Sequence, residues 1–404
     1  MISTIPWKTV TLGPFIDIIN GGAFPSDRFV EDEGMPLIRI RDLEHQDTEI
    51  NFSGQYNNHY IVKHGDLLIG MDGNFLTVKW KGNNALLNQR VCKLVTKDAE
   101  QLDQDFLFYR IINEIIQINH ITSATTVKHL SSRDILGITI DLPTKPEQAK
   151  IAEVLSTVDR AIEQTEALIA KQQRIKTGLM QDLLTRGIDE DGHLRSEETH
   201  EFKDSHLGLI PVEWSIETLE KCVEFWDGKR VPLKQADRDK MYGEYPYYGA
   251  SGIIDYIDRF LFDGDLILLG EDGENIVSRN LPLAFQVRGK IWVNNHAHVL
   301  KPKNGYDIYF LTNRLEFYDY ALLISGSAQP KLNQRNLRLM NLPMPPVLEQ
   351  KRIGEIFLFQ ERERDIHKLI LHKLCSLKTG LMQDLLTGKV RVTPLLNELQ
   401  EAVA

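Results

Sequence analysis

Two stretches of the chain carry apolar residues at coiled-coil spacing, and each closes a longer segment with quite different patterning. From Ile151 the apolar positions run through Leu155, Val158, Ile162, Thr165, Ile169 and Gln172, alternately four and three residues apart, before the register shifts to Ile175, Leu179 and Leu183. That spacing predicts a long helix with a narrow hydrophobic seam. A second seam, Ile366, Ile370, Leu374, Leu377, Leu381 and Leu385, closes the second half of the chain after a more polar stretch, QERERDIHK. Pro146 suits a first helical turn, and Gly187 and Gly388 suit C-terminal caps. A helix of about 40 residues is about 60 Å long, more than one small domain covers. The two helices are therefore expected to pair with each other, antiparallel, with a globular part at each end of the rod.

Ahead of each helix the pattern changes to short apolar runs broken by Gly, Asn and Asp, such as PLIRIRDL and DLLIG, which predict strands joined by turns. The two halves repeat each other. KTGLMQDLLT stands at 176–185 and again at 378–387, 202 residues later. LPTKPEQAKIAEVL at 142–155 answers LPMPPVLEQKRIGEIF at 342–357, GDLLIGMDG at 65–73 answers GDLILLGEDG at 264–273, and IPWKTVTL at 5–12 answers IPVEWSIETL at 210–219. The chain is two copies of one unit. The expected fold is α+β: two mixed α/β domains at 1–141 and 211–341, long helices at 142–187 and 342–390, an acidic linker at 188–210 and a tail at 391–404. Gly178 and Gly380 recur inside the two helices, which points to close backbone packing or a kink there.

The 42% apolar and 26% charged fractions are those of an ordinary globular protein, and no apolar run is long enough to span a bilayer. With no secretory pattern at the start, a cytoplasmic protein is expected. A net charge of −10 argues against non-specific coating of nucleic acid, and residues 1–141 alone hold 13 basic and 18 acidic side chains. Cys92, Cys222 and Cys375 are far apart and are expected to be buried free thiols. No phosphate-cradling GxGxxG or GxxxxGK[ST], no HExxH, no GxSxG and no Pro-Pro-aromatic amino-methylation tetrad occurs. No catalytic residue and no metal site is assigned. GMDGNF and GEDGEN are expected to be tight turns after a buried strand, and His296 and His298 to be polar strand or surface residues.

Contact chemistry is better represented. Lys79, Trp80, Lys81, Asn83, Asn84, Asn88, Gln89 and Arg90 in the first half, and Arg279, Asn280, Asn294, Asn295 and His296 in the second, are of types that read base edges. TTVKHLSSR, with Lys128 and His129, and SGSAQPKLNQR, with Gln329 and Lys331, occupy equivalent places and offer donors suited to phosphate.

These residues resemble the specificity subunits of Type I restriction-modification enzymes. The carriers are the doubled proline-Glu-Gln helix start, the doubled KTGLMQDLLT, GDLLIGMDGNF with WKGNNALLNQRVCKL, and LGEDGENIVSR with WVNNHAHVL and SGSAQPKLNQR. The resemblance covers essentially the whole chain, and its motifs are specific only in combination. It implies two target-recognition domains, each reading one half of a bipartite double-stranded DNA site, and two helical regions forming an antiparallel coiled coil that sets the spacing. It also implies two methyltransferase subunits and restriction subunits, of translocase and nuclease activity, as partners in phage defence. The chain would be non-catalytic and bind no cofactor, with S-adenosylmethionine, ATP and Mg handled by the partners. The competing expectation is a protein–protein assembly scaffold without DNA readout.

Overall fold

The computed structural model describes residues 6–122, 128–326 and 329–397. It divides into two compact units, one of residues 1–164 with 371–404 and the other of residues 165–370. Each unit therefore takes the start of one long helix and the end of the other.

In the first unit a four-stranded antiparallel sheet has the order Ile16–Asn20, Val91–Thr96, Leu67–Gly70, Thr77–Lys79. Leu67–Gly70 is buried on both faces, which is why it reads as an unbroken apolar run. A second, five-stranded sheet holds the parallel pair Met35–Ile38 and Ala85–Leu87. The helix Gln104–Ile121 starts at Asp103, whose carboxylate accepts the N–H groups of Asp105 and Phe106. One core joins this helix and sheet to Ile151 and Leu155 of the first long helix, to Leu385 at the end of the second and to Leu386 and Val392 just beyond it.

The second unit repeats the plan. Its sheet has the order Val223–Phe225, Ala297–Pro302, Asp265–Gly270, Ala284–Arg288, and Asp307 caps the helix Ile308–Phe317. Leu183, Leu184, Ile353 and Phe357 carry the long helices into its core.

The helix-opening motif has a definite job. Glu147 is buried and accepts hydrogen bonds from Trp7 Nε1 at 3.3 Å and Arg391 Nε at 2.8 Å. In the second unit Glu349 accepts Trp214 Nε1 at 3.2 Å and Arg195 at 2.6 Å. The neighbouring glutamines tie each helix start to the capped helix: Gln148 Oε1 accepts the N–H of Asp103 at 2.8 Å, and Gln350 Oε1 that of Asp307 at 3.1 Å. Residues 188–210 are consequently no free acidic linker. Arg195 buries its charge on Glu349, and Phe202–Ser205 pairs with Gly208–Pro211 as a hairpin.

The long helices run Lys145–Thr185 and Val347–Leu385. Within each unit they are antiparallel: in the first, Ile151 and Leu155 share a core with Leu385 and Leu386 while Asp159 meets Lys378, and in the second, Gln172 meets His367 while Leu183 and Leu184 share a core with Ile353 and Phe357. In the first helix Ile151, Leu155, Val158, Ile162, Thr165, Ile169, Gln172, Leu179 and Leu183 face inward, as their spacing predicts. The register does not shift. Lys176 fills the seam position and Ile175 is 40% exposed. In the second helix the seam is Arg364, His367, Leu371, Leu374, Lys378, Leu381 and Leu385. Ile366, Ile370 and Leu377, expected inside, are 52%, 41% and 50% exposed. Polar residues at three seam positions hid the true register from a reading based on apolarity.

Gly178 and Gly380 have open space where a side chain would stand, so close packing does not explain them. Cys92 and Cys222 are core thiols, each pushed up to about 12 chiefly by burial, whereas Cys375 is exposed. Among the described residues no helix is long and apolar enough to cross a membrane.

Candidate nucleic-acid interface

Each unit builds the same polar corner from three chain segments. In the first, the turn after Leu67–Gly70 is clamped from both sides: Met71 N–H donates to the carbonyl of Arg90, and Leu130 N–H to that of Met71. Gly73 N–H donates to the carbonyl of Lys128, and Asp72 bridges to His129. In the second unit Glu271 N–H donates to His296, Leu332 N–H to Glu271 and Gly273 N–H to Pro330, with a bridge from Asp272 to Lys331. The backbone frames match bond for bond. Gly73 and Gly273 close the turns with φ of 77° and 108°, where a Cβ would be strained.

The side chains on these frames differ. In the first unit Asp72 pairs with His129 Nδ1 at 2.7 Å and with Arg90 at 3.2 Å, and both partners remain more than half exposed. Lys128 Nζ donates to the carbonyl of Asn119, whose own amide donates to Gly73 O at 2.7 Å. Gln89 is exposed, and Asn88 accepts the Gln89 N–H at 2.8 Å. In the second unit Asp272 pairs with His296 Nδ1 at 2.8 Å and Lys331 with Glu271 at 3.0 Å. Asn294 is buried and accepts the His296 N–H at 2.8 Å, leaving Asn295 exposed between them. Gln329 stands exposed in the adjoining loop.

Beneath the second corner lies a buried polar network. His298, 1% exposed, pairs through Nδ1 with Asp227 at 2.7 Å and through Nε2 with the carbonyl of Leu332 at 2.9 Å. Asp227 also accepts Val299 N–H at 2.8 Å and Gln334 Nε2 at 2.7 Å. Arg230 joins Glu271 at 2.6 Å to the carbonyl of Ala297 at 2.7 Å. Burial pushes both carboxyls up, but His298, the Val299 N–H and Arg230 at Asp227, and Arg230, His298 and Lys331 at Glu271, outweigh it and hold them below their ordinary values. His298 is thus a satisfied core residue on the strand Ala297–Pro302, the strand alternative of the two expected from the sequence, while His296 is exposed.

Residues 4–172 and 211–374 match the Type I restriction modification DNA specificity domain. The chain belongs to this family. It is 35% identical over 215 residues to the Type I restriction enzyme EcoBI specificity subunit of Escherichia coli, a match covering 52% of this chain and 45% of that protein. It is 24% identical over 414 aligned positions to the MjaVIII specificity subunit of Methanocaldococcus jannaschii, covering 96% of this chain and 93% of that one. The crystal structure of the Type-I restriction-modification system S subunit from M. genitalium shares the fold, with a TM-score of 0.69 at 17% identity over 95% of this chain and 97% of that one.

Both specificity-domain segments contain one corner, and the corners gather only some of the residues singled out in the sequence. Asn88, Gln89, Arg90, Lys128 and His129 come together in one, and Asn294, Asn295, His296, Gln329 and Lys331 in the other. Lys79 does not join them: it pairs with Leu67 at the far end of the strand from the turn, its Nζ 2.7 Å from Asp105 and over the Phe108 and Tyr109 rings. Trp80 is a core residue donating to the carbonyl of Asn83 at 2.8 Å. Lys81 pairs with Glu163, and Asn83 and Asn84 lie beside it, away from the turn. Arg279 is committed to Glu316 at 3.3 Å and, with Asn280, faces the long helices. Thr125, Thr126, Val127, Ser327 and Ala328 lie outside the described residues. The residues missed were Asp72, Asp272 and Glu271, which orient the polar side chains around them; the signal was an Asp directly before the second glycine of both turns, GMDG at 70–73 and GEDG at 270–273.

Proposed function

We propose that the chain is the non-catalytic DNA-reading subunit of a Type I restriction-modification complex, each corner contacting one half of a bipartite duplex target. One observation carries this reading: a single backbone frame is built twice, and the groups on it differ, exposed Gln89, Arg90 and His129 with half-buried Lys128 against exposed Asn295, His296, Gln329 and Lys331. Arg and Gln or Asn are the types that engage guanine and adenine edges bidentately, while Lys and His engage phosphate. The paired long helices set the spacing between half-sites and dock two methyltransferase subunits. Adenine methylation with S-adenosylmethionine, and ATP- and Mg-dependent translocation and cleavage by restriction subunits, belong to those partners in the cytoplasm.

The test is a footprint of the chain with its methyltransferase partner on duplex DNA. Two short protected blocks separated by several base pairs are expected. One continuous block, or none, overturns DNA reading in favour of an assembly scaffold.

A further inference from the structure

The pseudo-symmetry fails at one place, and a cavity opens there. A shift of 202 residues relates Lys176 to Lys378, Glu361 to Asp159 and Arg364 to Ile162, and the matched caps Asp103 and Asp307 relate Tyr109 to Asn313. In the first unit these positions form a closed set: Lys378 Nζ is 2.6 Å from Asp159, and Tyr109 donates its hydroxyl to the same carboxylate at 2.6 Å. In the second unit an amide replaces the phenol and a guanidinium replaces the isoleucine. A cavity of about 610 Å³ results, between the long-helix segments and the Ile308–Phe317 side of the domain.

Lys176, Arg279, Arg364 and Lys368 face this cavity against only two carboxylates, Glu316 and Glu361. Glu316 is spoken for by Arg279 at 3.3 Å and by the N–H groups of Leu283 and Ala284, both at 2.8 Å. Among the described residues no carboxylate closes an ion pair on Lys176. Arg364 reaches Glu361 only at 3.7 Å and Asp365 at 3.8 Å, and its Nε is buried without a hydrogen-bond acceptor. Burial, and then the nearness of Arg364, hold the Lys176 ammonium below its ordinary pKa. Two neighbouring cations, only partly offset by Glu361, Glu316 and Asp365 and with the Arg364 Nε lacking an acceptor, strain the seam unless an anion joins them.

We propose that this cavity is a binding site for a small phosphate-class anion, held by Lys176 and Arg364 with Lys368 at its mouth. A guanidinium fork beside an ammonium matches the oxygens of a tetrahedral oxyanion. The volume is that of a small-ligand site. Phe285 and Phe317 in the wall leave room for an organic group on the phosphate. Inorganic phosphate, pyrophosphate and a nucleoside diphosphate share the required chemistry.

The test is titration calorimetry on the full chain with inorganic phosphate, pyrophosphate and ADP, each at constant ionic strength. One saturable site per chain is expected, and the tightest of the three probes identifies the source. Arg364→Ile, which installs the first unit's own residue, and Lys176→Met should each weaken binding at least about tenfold, the loss of one charged hydrogen bond. Lys378→Met in the first unit should leave affinity unchanged. Arg364→Ile should melt no lower than the parent in the absence of anion, so its loss of binding is not loss of fold, and pyrophosphate should raise the melting temperature of the parent and of Lys378→Met more than that of Arg364→Ile or Lys176→Met. Three results would overturn the proposal: no saturable binding of any probe at millimolar concentration, equal affinity in Arg364→Ile, or displacement of bound pyrophosphate by duplex DNA, which would make the cavity part of the nucleic-acid surface.

Discussion

Lys378 Nζ lies 2.6 Å from Asp159 Oδ1 at the centre of the helix pairing in the first unit, and Tyr109 OH lies 2.6 Å from the carboxylate's other oxygen. Asp159 therefore serves a cation on one long helix and a phenol on the capped helix at once. Replacing it with Ala strands both donors in a half-buried place and should cost about 2 kcal/mol, read from urea unfolding. In a double-mutant cycle the coupling of Asp159→Ala to Lys378→Met should be only about 0.5–1 kcal/mol, because solvent still reaches the pair.

Glu349 carries a larger share. It neutralises Arg195 in a buried site and accepts the Trp214 indole. Glu349→Ala leaves that guanidinium buried without its partner and should cost about 3–5 kcal/mol. Hydrogen exchange locates the effect: amides of 187–214 and the start of the second long helix should lose protection, while those of 8–20 in the first unit keep theirs.

How much of this was legible in the sequence depends on what each signal was made of. The repeat, the strand-then-helix plan and the antiparallel pairing were legible because they rest on identity and period. The true second seam was not, since Arg364, His367 and Lys378 occupy positions where apolar residues were sought, while Ile366 and Leu377 drew the reading to the wrong face. The corner loops were legible as contact chemistry, yet Lys79, Lys81 and Arg279 looked equivalent to Arg90 and are not. Their partners Asp105, Glu163 and Glu316 come from distant parts of the chain, and no local pattern announces such pairing. The Trp–Glu–Arg latch shows the same limit: Trp and Glu were each visible in a repeated motif, but nothing in sequence tied them together.

The exposed helix glycines make a simple prediction. Nothing stands where a side chain at Gly380 or Gly178 would go. Gly380→Ala should stabilise the helix by about 1 kcal/mol and raise the melting temperature, and Gly178→Ala should do the same. A loss of stability in either would show that the position is covered in the folded protein.

Acid should weaken the second unit through its buried network. Asp227 and Glu271 are held below their ordinary pKa values by His298, Arg230 and neighbouring donors despite burial. A carboxyl with a lower pKa folded than unfolded contributes stability that is complete above its unfolded value and drains away as pH falls through its folded one. The unit should therefore weaken below about pH 4, the ordinary carboxylate range. Asp227→Asn should cost about 3 kcal/mol at neutral pH and flatten that acid limb, measured as urea midpoints across pH.

The corner residues should separate by half-site. Arg90 and Gln89 are exposed on the first unit's frame, and Asn295 and His296 are their counterparts on the second. Arg90→Ala or Gln89→Ala in the complex with methyltransferase should relax base preference in one half of the target by about 1–3 kcal/mol and leave the other half unchanged; Asn295→Ala should do the reverse. Lys128→Ala should instead weaken binding to all sequences and shallow the salt dependence, as loss of a phosphate contact does. Binding-site selection on randomised duplexes reads all of these at once. A uniform loss of affinity for Arg90→Ala, with base preference intact in both halves, would demote Arg90 from reading bases to holding phosphate.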